Sequence, residues 1–535
     1  MSRGRQLWAL AGITAVAAVV RFWALGHQSY DVDEAVTALR VIHPSLATTM
    51  HAVFQGERTP PLYYLLAWGW SRLFGTHEVG LRSLSALLGT LTVPAAYLAA
   101  RELASRRAGL IAAAFVAVNP YLIWYSQEAR AYALYVLVSA GALYLFARAL
   151  RNPTPRSLAL WALASVVSVC SYYFAVFLIV PEGLWLLHST RARRAAIAAV
   201  AATAVAGLAL VPLAVAQASG SHSDHFTSHS LFARAAQALL DFVASVEPAP
   251  LTGSAVVNAV QILAAIGAAA VLAVGIAIVA RRGAPRERRA AACVGVVAAT
   301  SFLLPFPVAA AGLDFIEPRK VLIGSVVPLL ALGGVALGAR RAGRLGLASA
   351  AAGVAIFAGV GAAVHVNRQM QRPDWRAAAQ AIGPASGRVL VVARNGEAPL
   401  AYYLHARDVR PNLAPAGIEV PEIETISRGY ATPPPGRGFK LVEIRHVAGS
   451  FWLRSFRAPK PLAIGPAELS GYRILHRSGR PLPSEEIRAW SQSRGGPMPI
   501  ASRTSASVSE AIARAFSAPA ASIASSAASS PRSPG

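Results

Sequence analysis

Three carboxylates lie close together in the segment YDVDEAV, at Asp31, Asp33 and Glu34. Acids that crowd in this way repel one another, so at least one pKa rises, which suits a general base or a cation ligand. The same residues could instead cap a helix that begins near Ala35, because negative charge is favourable at a helix N-terminus. The sequence leaves both interpretations open.

A second acidic group lies in YSQEARAY, residues 125–132, where Glu128 and Arg130 stand between two long apolar stretches. A lone Glu-x-Arg is most simply an ion pair at the start of a helix. The alternative is that Glu128 meets the first acidic segment at one membrane surface, because the basic residues predict that both segments leave the membrane on the same side. We therefore keep Glu128 and Asp31 as candidates for a second acidic role, toward an acceptor or a metal ion of open identity.

Several basic side chains near the same predicted surface could bind a phosphate. Guanidinium groups bind phosphate through two parallel hydrogen bonds, although an arginine at headgroup depth can also simply extend to the interface. Arg82 could pair with Glu78 one turn away. The candidates for phosphate binding are Arg21, Arg58, Arg82, Arg130, Arg319 and Lys320, and the candidates for lining a substrate are Tyr63, Tyr64 and Tyr132.

Two other sets of residues are weaker candidates. The loop 216–254 contains SHSDHFTSHS, whose histidines and aspartate suit zinc, but nothing in their spacing fixes a geometry, and a flexible polar loop is the preferred interpretation. Cys170 and Cys293 both lie in apolar runs without a C-x-x-C spacing, which argues against a disulfide framework or a cysteine–metal cage.

The elements that must position these residues are membrane helices. Of the 535 residues, 55% are apolar and only 14% are charged, whereas a soluble domain carries about 25% charged residues. A membrane helix needs about 20 mostly apolar residues. The candidate spans are 7–26, 80–100, 108–124, 132–147, 157–172, 174–188, 195–216, 255–280, 290–312, 319–338 and 343–364.

The charge balance of the chain indicates membrane topology rather than nucleic-acid binding. The formal net charge is +25, but the arginines of the chain lie between the apolar stretches instead of forming one basic face. If six arginine clusters between the spans face the cytoplasm, the N-terminus is inside and everything after residue 365 is outside. The short apolar segment 61–75 then lies at the outer surface as a juxtamembrane or re-entrant helix. A bacterial plasma membrane is the expected location.

The composition changes after the last span. We divide the chain into a transmembrane domain over 1–365, whose first outer loop is 27–79, an outer α/β domain over 366–490 and a disordered tail over 491–535. Short strands are predicted at 388–393, 439–445 and 472–477, and Asp374 is a plausible N-cap of a helix. The tail is rich in Ser, Ala and Pro and has little periodicity.

The order of the N-terminal motifs resembles glycosyltransferase family 39, which contains the protein O-mannosyltransferases and, more distantly, the bacterial lipid A aminoarabinose transferases. The resemblance covers about residues 15–150 and recurs weakly near Arg319 and Lys320. It rests on Arg21 followed by DVDEA, TPPLYYLL, FGTHEVGLRSLSALLGTLTVPAAY and NPYLIWYSQEARAYAL, and later on FIEPRKVLIGSVVPLLALGGVAL.

The resemblance implies a mainly α, polytopic GT-C fold of about 11 transmembrane helices with an extracytoplasmic active site. It also implies inverting transfer of a sugar from a polyprenyl-monophosphate donor to an acceptor hydroxyl. By position, Asp33 with Glu34 beside it would be the catalytic base, and Glu128 would be the second acidic residue. The aminoarabinose transferases have a donor-binding lysine directly before Pro-Pro, where this chain has Thr59, so Arg58 is an offset substitute.

Two other functions remain as alternatives to a transferase. A transporter or flippase of lipid-linked sugars should show paired halves with broken helices at the midplane, and the acids here cluster at one face instead. A non-catalytic envelope assembly subunit would need none of the acids. The donor lipid and membrane lipids are the expected partners, nucleic acid is not, and a divalent metal is a possible cofactor. The sugar and the acceptor (protein, lipid or glycan) stay open.

Overall fold

The structure is a computed structural model that describes residues 2–218, 229–243, 255–384, 388–393, 396–409, 418–428, 437–465 and 473–477. All of these residues belong to one compact unit, Met1–Pro481. The predicted tail and most of the segment SHSDHFTSHS lie outside the described residues. The proposed domain division at residue 365 stays a prediction.

The membrane part is built from apolar helices, as the composition predicts. Eight described helices are long and apolar enough to cross a membrane, or nine if the bent pair Arg106–Val118 and Pro120–Ser126 is one span. The predicted spans 157–172 and 174–188 are also helical, but these helices have only 17 and 14 residues and are not counted among the eight. The helices are α1 (Arg3–Phe22), α2 (Val32–Val36), α3 (Leu46–Gly56), α4 (Leu62–Phe74), α5 (Glu78–Leu103), α6 (Arg106–Val118), α7 (Pro120–Ser126), α8 (Tyr132–Arg151), α9 (Pro155–Ser171), α10 (Val176–Ser189), α11 (Arg193–Ala209), α12 (Val211–Ala218), α13 (Leu231–Asp241), α14 (Ala255–Arg282), α15 (Pro285–Leu303), α16 (Pro305–Ala310), α17 (Pro318–Leu337), α18 (Gly343–Val366), α19 (Trp375–Ile382) and α20 (Glu397–Tyr403).

Helix α17 is the centre of the bundle. In its most apolar stretch 89% of the residues are buried, whereas the figure for α1 is 11%. Helices α5, α6, α8 and α15 all pack against α17. Most of α17 is therefore enclosed by the bundle, and Arg319 and Lys320 lie at its partly exposed N-terminus.

A bend between α6 and α7 brings Glu128 toward the first loop. The two helices meet at 59°. Asn119 ends α6 and caps α7, its side chain accepting the Leu122 N–H at 3.1 Å, while Pro120 has no N–H to continue the α6 ladder. The chain therefore leaves the bundle axis and turns back after Ser126.

The first loop holds short helices that lie outside the candidate spans. Helix α4 has 13 residues, so it is roughly 20 Å long and shorter than the bilayer core of about 30 Å. This length agrees with the juxtamembrane interpretation of residues 61–75. Helix α2 has five residues and carries Asp33 and Glu34 in its first turn.

Among the described residues the C-terminal part is a small mixed sheet with two helices, which agrees with the predicted α/β composition and with the helix predicted to begin at Asp374. Asp374 caps α19, its side chain accepting the Ala377 N–H at 3.0 Å. The strands of the described residues are β1 (Arg388–Ala393), β2 (Arg407–Val409), β3 (Ile418–Ser427), β4 (Lys440–Val447), β5 (Phe451–Ile464) and β6 (Arg473–Arg477). They have the order β2-β6-β1-β3-β5-β4, and among these described strands only the β1–β3 pair is parallel.

The predicted strands 388–393, 439–445 and 472–477 correspond to β1, β4 and β6, and the prediction of strands there is confirmed. Strands β2, β3 and β5 were not among the predicted strands, and the longest of them, β5, contains Pro459 and Pro461, a residue type that is rare inside strands. Both prolines lie where the β3–β5 register shifts, between the Val420–Leu462 and Glu422–Arg457 pairs, so neither interrupts a regular ladder.

Candidate active site

Glu34 is not available as a catalytic group, in contrast to the sequence-based prediction. It is fully buried. Arg82 donates to Glu34 from Nε at 2.7 Å and from a terminal nitrogen at 2.6 Å. The backbone N–H groups of Ala129 and Asp31 also donate to the Glu34 carboxylate, at 3.0 and 3.1 Å. Glu34 therefore joins three segments of the chain and is saturated with donors.

Arg82 is correspondingly removed from the phosphate-binding candidates. Besides Glu34, it donates to the carbonyl oxygens of Leu25, Gln28 and Ser29 at 2.7–2.9 Å. It is 1% exposed. Every donor direction is used by protein groups. The alternative pairing with Glu78 is not formed, because the Glu78 carboxylate binds Arg376 at 2.6 Å.

Asp31 acts as a helix cap, which is the second interpretation offered by its position. Its carboxylate accepts the Val32 N–H at 2.8 Å, and the Glu34 carboxylate accepts the Asp31 N–H in return. This capping box fixes the start of α2. Within the described residues, no group of three or more His, Cys, Asp and Glu side chains is placed to hold a metal ion.

Asp33 has a different environment from its two neighbours. Its side chain is 35% exposed, and its carboxylate binds a terminal nitrogen of Arg319 at 2.9 Å. Burial alone would raise the pKa of Asp33, but Arg319, Arg130 and Lys320 outweigh it and lower that pKa to about 2. Asp33 is thus an accessible carboxylate that stays ionised and lies against a cluster of cations.

The cations at the start of α17 are balanced by carboxylates. Arg319 Nε donates to Glu317 at 2.9 Å, and Lys320 binds the other oxygen of Glu317. The Arg319 guanidinium also lies 5.9 Å from the centre of the Tyr132 ring. Arg58 is half-buried and within electrostatic range of Lys320. Arg319 and Lys320 therefore form a cationic cluster beside Asp33, with Arg58 within electrostatic range of Lys320.

Arg130 does not pair with Glu128, so the helix-start ion pair considered from the sequence is not formed. Two nitrogens of Arg130 bind the buried Glu57 carboxylate at 3.0 and 2.8 Å. Tyr64 donates its hydroxyl to the same carboxylate at 2.5 Å. Tyr63 is also fully buried, with its hydroxyl near Ser85. These contacts make Arg130 and both tyrosines part of the wall that supports the site.

Arg21 is likewise committed to the protein. It is fully buried, and it donates to the carbonyl oxygens of Val116 and Ala117 at 2.8 Å and to the Ser126 hydroxyl at 3.2 Å. These are groups near the α6–α7 bend, whose carbonyls are left without helix partners. Arg21 therefore stabilises the bend, and we do not retain it as a phosphate ligand.

Glu128 is a buried carboxylate with one weak ionic partner among the described residues. It is 3% exposed, and Arg372 approaches one of its oxygens at 3.4 Å. Burial raises the pKa of Glu128 to about 7, with Arg372 and Arg319 opposing the rise and Glu34 and Asp33 adding to it. Asp33 is therefore within electrostatic range of Glu128, and the prediction that both acids serve one site stays a prediction.

This pKa gives a stability prediction for Glu128→Gln. In the folded protein Glu128 binds its proton up to about pH 7, against an ordinary value of 4.5, so its contribution to stability is complete below pH 4.5 and is lost as pH rises through about 7. A shift of this size is on the order of 3 kcal/mol. We expect Glu128→Gln to raise the unfolding temperature in detergent at pH 8 and not at pH 4. Glu102→Gln, which alters a partly exposed pair with Arg151, is the control and should show no such pH-dependent gain.

Three residues of the site region, Glu57, Arg372 and Asp241, were not among the residues singled out from the sequence, whereas Glu317 was recognised only as a neighbour of Arg319 and Lys320 that could pair with them. Glu57 is the counter-ion of Arg130, Glu317 binds Arg319 and Lys320, and Arg372 contacts Glu128. Asp241, at the end of α13, is partly exposed and within electrostatic range of Arg319. A sequence signal exists for Arg372, because it is a charge directly after the last apolar stretch on the predicted outer side.

Comparison with solved structures identifies the fold. ArnT from Cupriavidus metallidurans bound to undecaprenyl phosphate is similar with a TM-score of 0.53 and 14% identity, covering 83% of this chain and 97% of that chain. The archaeal oligosaccharyltransferase AglB from Archaeoglobus fulgidus, in complex with an inhibitory peptide and a dolichol-phosphate, gives a TM-score of 0.46 at 14% identity. That match covers 74% of this chain and 63% of AglB. The likeness to ArnT shows that the helical bundle with its C-terminal sheet has the GT-C fold, which is the fold that the motif resemblance implied.

A protein-family model matches part of the chain. Residues 58–216 match the family described as dolichyl-phosphate-mannose-protein mannosyltransferase. This stretch begins at Arg58 and includes Glu128 and Arg130. Comparison with curated proteins gave no match.

Proposed function

We propose that this protein is an inverting membrane glycosyltransferase that moves a sugar from a polyprenyl-monophosphate donor to an acceptor hydroxyl on the extracytoplasmic side. The observation that carries the proposal is the pairing of an accessible carboxylate, Asp33, with the cationic cluster of Arg319 and Lys320, near which Arg58 also lies. The fold supports it, and so do the undecaprenyl phosphate named with ArnT and the dolichyl phosphate named in the family model.

The cationic cluster is the proposed site of the donor phosphate. Arg319 and Lys320 lie at the N-terminus of α17, a 20-residue helix whose dipole also favours an anion. Without donor, Asp33 and Glu317 compensate their charges. A bound phosphate would compete with Asp33 for the Arg319 guanidinium, and it offers the same bidentate geometry.

Asp33 is the proposed general base. As the acceptor oxygen bonds to the anomeric carbon of the sugar, its proton passes to the Asp33 carboxylate. The bond from that carbon to the phosphate oxygen breaks on the opposite face, and polyprenyl phosphate leaves with the electron pair. The negative charge that develops on the leaving phosphate is stabilised by Arg319 and Lys320. Transfer of Arg319 from Asp33 to the phosphate would also make Asp33 a stronger base, because the cation that lowers its pKa moves away.

Glu128 is proposed to support this base as an ionised neighbour. A second negative charge near Asp33 favours proton uptake by Asp33, in the same way that Asp33 raises the pKa of Glu128. Transfer should then become faster as Glu128 loses its proton near pH 7. Glu128 thus supplies pH dependence that Asp33, with a pKa of about 2, cannot supply in this range.

The function is tested with the purified protein in liposomes. A panel of labelled polyprenyl-phosphate sugars is supplied together with extracts of protein, lipid and glycan acceptors, and the label should leave the donor lipid and appear on one acceptor class. Label that stays on the lipid and only changes leaflet would support the transporter alternative. Label that neither moves nor changes leaflet would favour a non-catalytic assembly subunit.

Arg319→Gln should weaken use of the donor. Each hydrogen bond to a charged group contributes about 1.5–3 kcal/mol, so we expect the apparent donor KM to rise roughly 10- to 100-fold, with little change in acceptor KM. Steady-state titration of each substrate at saturating levels of the other measures this. Arg151→Gln, which removes one guanidinium from a partly exposed pair with Glu102, is the matched control. Equal donor KM values for Arg319→Gln and wild type would remove Arg319 from the phosphate site.

A further inference from the structure

Arg372 lies in the segment that connects the last membrane helix to the sheet, between α18 and α19. Its side chain is 2% exposed, which is unusual for a charged residue outside a membrane helix. The guanidinium contacts the end of α7 and the turn that follows it. It lies 4.3 Å from the centre of the Trp124 ring, where a cation is attracted by the aromatic face.

The guanidinium binds three acceptors of that turn. It donates to the carbonyl oxygens of Trp124 at 3.2 Å and Gln127 at 3.4 Å, and it approaches the Glu128 carboxylate at 3.4 Å. The two carbonyls and the ring hold Arg372 in place independently of Glu128. Arg372 is therefore a fixed positive charge against which the Glu128 carboxylate is oriented.

The backbone around Arg372 is held by the first loop. The Arg372 N–H donates to the Gln28 side chain at 3.1 Å. Ser29 donates its hydroxyl to the Pro373 carbonyl and accepts the Trp375 N–H, both at 3.0 Å. Ser29 lies four residues before Asp33. One short segment thus contacts both the loop of Asp33 and the turn of Glu128.

Other charged and titratable groups also act on Glu128. Arg319 is the second cation, Asp33 and Glu34 are the anions, and the hydroxyls of Tyr63, Tyr125 and Tyr132 are within electrostatic range. Arg319 is already shared between Asp33 and Glu317, and in the proposed reaction it turns to the phosphate. Arg372 is therefore the cation whose position relative to Glu128 stays constant.

We propose that Arg372 is a positioning residue that fixes the orientation and the ionisation of Glu128, and so sets the pH range in which the site is active. The segment that leads to the sheet would then influence the reaction through the Arg372 guanidinium and its effect on Glu128. The statement about ionisation stands on the geometry alone, whereas the statement about activity rests on the proposed function.

The first experiment titrates Glu128 directly. The infrared band of its protonated carboxyl group is followed against pH in the purified protein and is assigned by its loss in Glu128→Gln. An opposite charge at this distance lowers a pKa by about one to three units, so Arg372→Gln should move the midpoint upward by about one to two pH units. Arg372→Lys keeps the charge and should leave the midpoint within about half a unit of wild type.

Arg376→Gln is the matched control. Arg376 lies in the following helix turn and also ties this segment to the membrane part, through Glu78 at 2.6 Å and the Gly26 carbonyl at 3.1 Å, but it does not touch Glu128. It should lower the unfolding temperature without moving the Glu128 midpoint. An equal shift in both variants would show a general loosening of the segment and would overturn the proposal.

The second experiment measures transfer against pH. The pH at which kcat/KM reaches half its maximum should rise in Arg372→Gln by the same amount as the infrared midpoint. An unchanged infrared midpoint overturns the proposal even if activity falls. A shifted infrared midpoint with an unchanged pH profile retains the Arg372–Glu128 pair and removes Glu128 from the reaction. If Arg372→Gln does not fold, the test uses Arg372→Lys, which keeps the positive charge. A shift of the Glu128 infrared midpoint by one pH unit or more in that variant contradicts the proposal.

Discussion

Asp33→Asn is expected to lower kcat for sugar transfer by about 10²–10⁴-fold, the range that a general base contributes. Asparagine has the same shape and still accepts a hydrogen bond from Arg319, but it cannot take the acceptor proton. Because the Asp33 side chain is 35% exposed, its ion pair with Arg319 should add little to stability, and the variant should fold. Single-turnover transfer from preloaded donor measures the chemical step separately from binding.

Asp31→Asn is the matched control for this prediction. It removes the same charge from the same loop two residues away, and asparagine is as good a helix cap as aspartate. We expect it to keep transfer within about threefold of wild type. Loss of activity in Asp31→Asn equal to that in Asp33→Asn would indicate a general charge effect. Full activity in Asp33→Asn would remove Asp33 as the base.

The membrane helices could be predicted because their signal is local. A continuous apolar stretch of about 20 residues identifies a helix wherever it packs, so the eleven predicted stretches are all helical. The same reasoning found the strands with simple alternation. It did not identify β2, β3 or β5, and in β5 the register shift that tolerates Pro459 and Pro461 is a property of strand pairing and not of the strand alone.

The roles within the acidic run could not be separated from the sequence. Asp33 and Glu34 are adjacent, yet one is open to Arg319 and the other is saturated by Arg82 and Ala129. Successive residues on a helix point about 100° apart, so one of them must face the interior. Which one does so depends on partners 48 and 95 residues away.

The same limit applies to the basic residues. Arg130 was considered with Glu128 because they are close in sequence, but it binds Glu57, which lies 73 positions away. Glu128 is instead contacted by Arg372, which lies 244 positions away. A motif names the residue types that a site needs, and the packing of helices decides which cation meets which acid.

Glu34→Gln is expected to destabilise the protein by about 3–5 kcal/mol, the cost of removing one partner from a buried ion pair. Glutamine leaves the buried Arg82 guanidinium without a compensating charge, and the Ala129 and Asp31 N–H groups lose a charged acceptor. The loops that carry Asp33 and Glu128 are joined through this carboxylate, so we expect low yield and a clearly lower unfolding temperature in detergent.

Glu102→Gln serves as the control for burial, because its partner Arg151 is 48% exposed and such pairs contribute at most about 1 kcal/mol.

A double variant, Glu34→Gln with Arg82→Gln, should recover part of the lost stability, since no buried charge is then left unpaired. The contrast with Asp33→Asn separates the two acids, because one variant should fold and fail in the chemical step, whereas the other should fail in folding. A Glu34→Gln protein with wild-type stability and no transfer activity would contradict this assignment and return Glu34 to the catalytic group.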